Sequence, residues 1–225
     1  MIFRVSEKKQ YERSVFESKK GGAVSLLAVG ATGALTGIFA AFSFYYHILN
    51  PFAHALTLWV LLSLVVSARL HLREAVLRST IGLFFAVIAF YFCKALFYNT
   101  IYYPAAPAIS VQVGNMFMWC LLAVFAGGVL GVLFSGIGSA SWAGAASAAA
   151  AIALLLASTL EETRLSLGND ALLLWGFCVC SIIVVIFFVE RTKAQIKRII
   201  LMVPPFLVAG LIVVVSPDVI QQFLI

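Results

Sequence analysis

Charged side chains are scarce in this chain. They make up 11% of its 225 residues, less than half the roughly 25% of a soluble domain. Hydrophobic residues make up 63%, and mean hydropathy is +1.08. This balance excludes a solvated globular domain and points to an integral membrane protein. Catalytic signatures are missing too. There is no HExxH, GxSxG or GxxxxGK[ST], so metalloprotease, hydrolase and nucleotidase chemistry lack their defining groups. A TVGYG-like filter and a repeated acidic ring are also lacking, which removes the usual channel signatures. The chain is read as a non-enzyme. Its four cysteines, Cys93, Cys120, Cys178 and Cys180, fall inside apolar runs without metal-ligand spacing, so they are read as small core hydrophobes. His47 and His54 are separated by Pro51, His71 lies in a different loop, and no metal triad results. No metal and no cofactor is expected. The start, MIFRVSEKKQYERSVFESKKGG, has neither the short charged opening nor the small-residue cleavage site of a secretory signal. Its three glutamates argue against a mitochondrial presequence, and it is expected to stay on the mature protein.

What is present is a succession of apolar runs of about 18 to 26 residues, the length that crosses a bilayer as a helix. They predict spans at 21–46, 51–68, 79–98, 112–134, 143–159, 171–189 and 199–216. The fold expected is an all-α polytopic bundle of about seven transmembrane helices. Residues 1–20 form an amphipathic cytoplasmic segment, with Phe3, Tyr11, Val15 and Phe16 among charges, and 21–225 form one membrane domain. The second span is the shortest. Pro204-Pro205 is expected to kink the seventh, with the tail PDVIQQFLI along the outer interface.

Lys and Arg set the direction. Alternating sides from the N-terminus, one face receives Arg4, Lys8, Lys9, Arg13, Lys19, Lys20, Arg69, Arg73, Arg78, Arg191, Lys193, Lys197 and Arg198. The other receives Arg164 alone, and Lys94 lies within a span. The positive-inside rule then places the N-terminus in the cytoplasm and the C-terminus outside. The formal net charge of +6 is thereby assigned to anionic lipid headgroups and not to nucleic acid.

Small residues at four-residue spacing let helix backbones approach closely where lipid supplies no hydrophobic drive. Gly30 and Ala34, then Gly33, Gly37 and Ala41, form such rows in the first span, and Gly127, Gly128 and Gly131 form one in the fourth. The alanine-rich fifth span makes a poor lipid face and is expected to be enclosed by other helices.

Lys94 interrupts FYFCKALFYN near the outer boundary, one turn below Tyr98, Tyr102 and Tyr103. A lysine there can snorkel. It can also pair with Glu161 or Glu162, which end the fifth span on the same side, because an unpaired charge at that depth is costly. Shared depth motivates an outward-facing polar pocket around Lys94 and Glu161, with Glu162, Asn115 and His54 in its wall. Neighbouring Glu161 and Glu162 point to different sides of a helix and make a poor acid/base pair.

The order GALTG, LWVLL, Phe90-Tyr91, GGVLG and Glu161 resembles an uncharacterised bacterial family of small multi-spanning membrane proteins over about residues 21 to 189. That resemblance implies a bacterial inner membrane and no particular activity. The small-residue first helix, with Ala28, Ala31 and Ala34, is similar to the docking face of the substrate-binding membrane subunits of energy-coupling transporters, which have six spans rather than seven. Two functions follow as expectations. One is a transport-associated protein, a small-solute-binding subunit or small carrier. The other is a non-transporting subunit that anchors, assembles or regulates a larger complex through a membrane or cytoplasmic protein partner. The halves show no internal repeat, which weighs against an autonomous carrier.

Overall fold

The computed structural model of the chain describes residues 25–46, 48–101, 111–165, 170–190 and 192–224, and the side chains of these except 54, 101, 165, 170 and 216–224. The amphipathic segment expected over 1–20 lies outside the described residues, as do His47, Tyr102, Tyr103 and the side chain of His54. Every regular element among the described residues is a helix. They are α1 (Ser25–Tyr45), α2 (Asn50–His54), α3 (Leu56–Ser67), α4 (Leu72–Ile101), α5 (Val113–Ser135), α6 (Trp142–Leu165), α7 (Asp170–Phe188) and α8 (Lys193–Leu224). Six of them, all but α2 and α3, are long and apolar enough to cross a membrane.

The stretch expected as a second span departs from the reading of one continuous helix over 51–68. Pro51 stands in the first turn of α2, where its fixed φ suits a helix and its missing N–H is not needed. At Ala55 the backbone turns extended, with φ −66° and ψ 127°, and the hydrogen-bond ladder stops. The 12 residues of α3 then reach only about 18 Å, short of the roughly 30 Å hydrocarbon core. Two other boundaries move outward. Beginning at Leu72 rather than 79, α4 carries Arg73 and Arg78 in its opening turns, where Arg78 and Glu74 approach to 3.9 Å. Pro204 and Pro205 stand within α8 without ending it, and the helix continues to Leu224.

Packing follows the glycines. A Cβ on Gly33 would strike the carbonyl of Gly82, and one on Gly37 the carbonyl of Ala86, so the α1 and α4 backbones touch. On another side of α4, a Cβ on Gly127 or Gly131 would come within 2.6 Å of the Cα of Thr80 or Val76. The first register keeps one sequence offset and makes α1 and α4 run the same way. The second keeps one sum and makes α5 antiparallel to α4. Ala41 is fully buried, a Cβ on Gly30 would lie 3.4 Å from the Phe85 ring, and Gly128 faces open space. Ala34 is half-buried. Across the bundle α6 packs on α7 and α8, and the short α3 lies between the two groups, against α4, α5, α6 and α7. Enclosure of the alanine-rich helix matches expectation: 61% of the apolar window of α6 is buried, against 11% in α8.

One end of the bundle gathers basic side chains onto backbone carbonyls. Arg69, at φ +62° just past α3, donates its backbone N–H to Ile137 at 3.2 Å. Its Nε donates to the carbonyl of Phe188 at 2.9 Å, and its guanidinium lies 5.8 Å from that residue's ring centroid. It thus caps the last carbonyls of α7, which the helix leaves without partners and where a cation is favoured. Buried Gln195 donates to the carbonyls of Ser139 and Ser141, each at 3.1 Å. Arg198 donates to Ala140 at 2.9 Å and lies 5.1 Å from the Trp142 ring centroid. Ser141 in turn accepts from the Gly144 N–H at 3.1 Å, capping α6. Arg69 and Arg198 therefore share their charge with protein carbonyls.

Alanine at Gly33 or Gly131 is expected to lower stability by about 1–3 kcal/mol through overpacking. Gly128→Ala is expected to be neutral or to stabilise by up to about 1 kcal/mol through helix propensity. Thermal unfolding of the three purified variants in detergent micelles reads the difference.

Candidate functional site

Lys94 lies seven residues before the end of α4, about 10 Å in from that end at 1.5 Å per residue. Its Nζ sits 4.0 Å from the ring centroid of Phe44 and 5.7 Å from that of Phe90. The two rings are mutually perpendicular at 6.5 Å, and Trp59 of α3 meets Phe90 edge-on at 6.4 Å. Tyr45 donates its hydroxyl to the Lys94 carbonyl at 2.8 Å, tying α1 to α4 beside the ammonium. Contact with an aromatic face is worth about 0.5–2 kcal/mol, more as the site dries. The ammonium has turned onto rings at the α1–α4 seam.

Glu161 is buried on α6, and its Oε1 lies 3.1 Å from Arg164 Nη2 of the same helix. That contact is off the hydrogen-bonding axis, so Oε1 has an ionic neighbour and no aligned donor. Glu162 is half-buried beside it. Asn115 is exposed on α5, and its amide donates to Gln112 one turn away at 3.3 Å. The α4–α5 register puts Asn115 level with Phe92, close to Lys94 in height. The register thus sets Asn115 near the height of Lys94, but Lys94 and Glu161 do not share a neighbourhood. Helices α4 and α6 lie on different sides of α3, and α4 packs chiefly on α5 and α3, α6 on α8 and α7. Lys94 goes to Phe44 and Phe90, and Glu161 to Arg164. The sequence reading had expected the two charges to pair; each instead meets partners close to it in the fold.

A different polar junction lies at the α2–α3 break. The Thr57 N–H, one of the unpaired amides that open α3, donates to Ser158 Oγ of α6 at 3.2 Å, and the two hydroxyls also lie 3.2 Å apart. Thr57, Ser158 and Thr159 are all buried. Ser158 thus serves as a cap supplied by a neighbouring helix, which is what lets a helix begin within an apolar bundle. Residues three and four beyond Ser158 flank it one turn on, so Glu161 and Glu162 stand one turn from the break toward the C-terminal end of α6. On α2, Phe52 meets Phe177 of α7 edge-on at 5.2 Å.

Sequence reasoning found Glu161 but missed Thr57 and Ser158. The only signal was a Ser-Thr pair set in an otherwise Ala/Leu helix, LLLASTLEE, and polar side chains inside a span commonly bond across helices. Among the described residues no group of three or more His, Cys, Asp or Glu side chains could hold a metal ion.

Ser158→Ala strands the Thr57 amide and is expected to cost about 1–3 kcal/mol. Combined with Thr57→Val in a double-mutant cycle, it is expected to show a coupling of about 0.5–3 kcal/mol. Unfolding in mixed micelles with rising dodecyl sulfate measures both. Comparison with family models, with curated proteins and with solved structures finds no match to this chain.

Proposed function

We propose that this integral membrane protein is transport-associated, a small-solute-binding subunit or small carrier whose solute binds at the α2–α3 break. The observation that carries this reading is the interrupted helix itself. Its second half opens against Ser158, with the buried carboxylate of Glu161 one turn away. Non-helical backbone at membrane depth is tolerated where it lines a cavity or lies buried in protein, and broken helices recur at the solute sites of transporters. The carboxylates of Glu161 and Glu162 favour a solute carrying positive charge. The pocket is therefore drawn around Glu161 and not around Lys94.

Seven crossings fit this reading. With α1 and α4 running the same way, α2 and α3 together return the chain between them. Asn50 to Ser67 supply about 27 Å as helix, near the thickness of the hydrocarbon core. The end that carries Arg69, Arg73, Lys193, Lys197 and Arg198 is then cytoplasmic by the positive-inside rule, in a cell membrane of bacterial type. The break opens toward the outside.

Two measurements test the proposal. Reporter fusions at the two ends of the chain should place the N-terminus in the cytoplasm and the C-terminus outside; both on one side would remove the seven-crossing arrangement. Gentle purification from native membranes, with mass spectrometry of retained small molecules, should recover a solute from wild type. Glu161→Gln should lose it about tenfold, as expected when a charged hydrogen-bonding partner is removed. A solute-free protein that instead retains a second membrane protein would favour the anchoring or regulatory alternative.

A further inference from the structure

We propose that the ammonium of Lys94, seated on Phe44 and Phe90 at the α1–α4 seam, is the binding site for a phosphate-type anion, supplied by a lipid headgroup or by a free phosphate.

The distribution of acidic residues along the chain motivates this. Between Glu17 and Glu161 the sequence holds one carboxylate, Glu74. It lies 20 residues before Lys94 on the same helix, about 30 Å away along the axis, and already faces Arg78. Among the described residues, the helices packed on α4, namely α1, α3 and α5, contain no Asp or Glu, and the sequence on either side of α4 has none nearer to Lys94 than Glu74. The aromatic faces hold the ammonium in place from one side but do not neutralise it. A cation at lipid depth without an opposite charge is costly. Among the described residues no element packed against α4 supplies that charge, and an anion from outside the chain would.

The setting selects the anion. Lys94 is half-buried, and around the seam Phe42, Tyr46, Phe92, Leu96 and Tyr98 are exposed. That is the aromatic and apolar mixture found where acyl chains give way to headgroups. The anion present at that depth is the phosphodiester of a lipid. Tyr45, by fixing the Lys94 carbonyl, and Phe44, by holding Nζ at 4.0 Å, orient the ammonium before the anion arrives.

Native mass spectrometry of the whole protein, after exchange into neutral detergent, reads the site. Phosphatidylglycerol and phosphatidylcholine are the lipid probes, and inorganic phosphate against chloride at equal ionic strength, read by thermal shift, is the soluble one. Wild type should retain one phosphatidylglycerol that Lys94→Gln loses about tenfold, the effect of deleting one charge-assisted contact. Lys94→Arg should keep it, Lys197→Gln at the opposite end should leave it unchanged, and phosphatidylcholine should not replace it. If inorganic phosphate stabilises wild type but not Lys94→Gln, and phosphatidylglycerol makes no difference, the anion is a free phosphate and the site stands. Equal behaviour of wild type and Lys94→Gln toward both probes overturns the proposal. Should Lys94→Gln fail to fold, Phe44→Leu keeps the ammonium and loosens its seat. It should weaken retention, and unchanged retention overturns the proposal equally.

Discussion

Because lipid gives helices no hydrophobic reason to associate, the α1–α4–α5 half of the bundle is held where glycines let backbones touch. Gly33 and Gly37 bring α1 against Gly82 and Ala86, and Gly127 and Gly131 bring α5 against Thr80 and Val76. Close approach along both seams fixes how far each helix slides on α4. That sliding position in turn sets the height of Lys94 relative to Phe44 and of Asn115 relative to Phe92. On the other side of α3, alanines do similar work: Ala145, Ala148, Ala149, Ala151, Ala153 and Ala157 of α6 are wholly buried. A Cβ on Gly210 of α8 would lie 3.3 Å from Ala157 Cβ.

Internal satisfaction of backbone polar groups is the companion requirement in a medium that cannot bond to them. Its two most exacting places lie at opposite ends of α3. At one, the helix begins within the bundle and Ser158 accepts its amide. At the other, Arg69 takes a left-handed backbone, which costs a non-glycine residue roughly 1–2 kcal/mol, and spends its guanidinium on the carbonyls of α7. The strained residue thus joins three elements, since its own N–H also reaches Ile137.

Much of this was legible in the sequence, and the failures share one cause. Apolar run length located the six long helices, and spacing of small residues identified Gly33, Gly37, Gly127 and Gly131, because both signals are local and periodic. Gly128 was read with them and faces away: a GG pair has two faces, and only one can lie in the seam. The α2–α3 break was not legible, since its justification is Ser158, 101 residues further along. The same holds for Arg69, whose carbonyl partner is 119 residues away. Glu161 and Lys94 were grouped by depth, yet depth along a helix says nothing about rotation about it or about which helices intervene.

The short α3 also has a consequence for the order in which the protein is made. Twelve residues give a translocating chain too little apolar length to be held by lipid alone. Most of the partners that hold them, on α4, α5, α6 and α7, are synthesised later. The amide of Thr57 therefore gains its cap only after Ser158, 101 residues further along, has emerged.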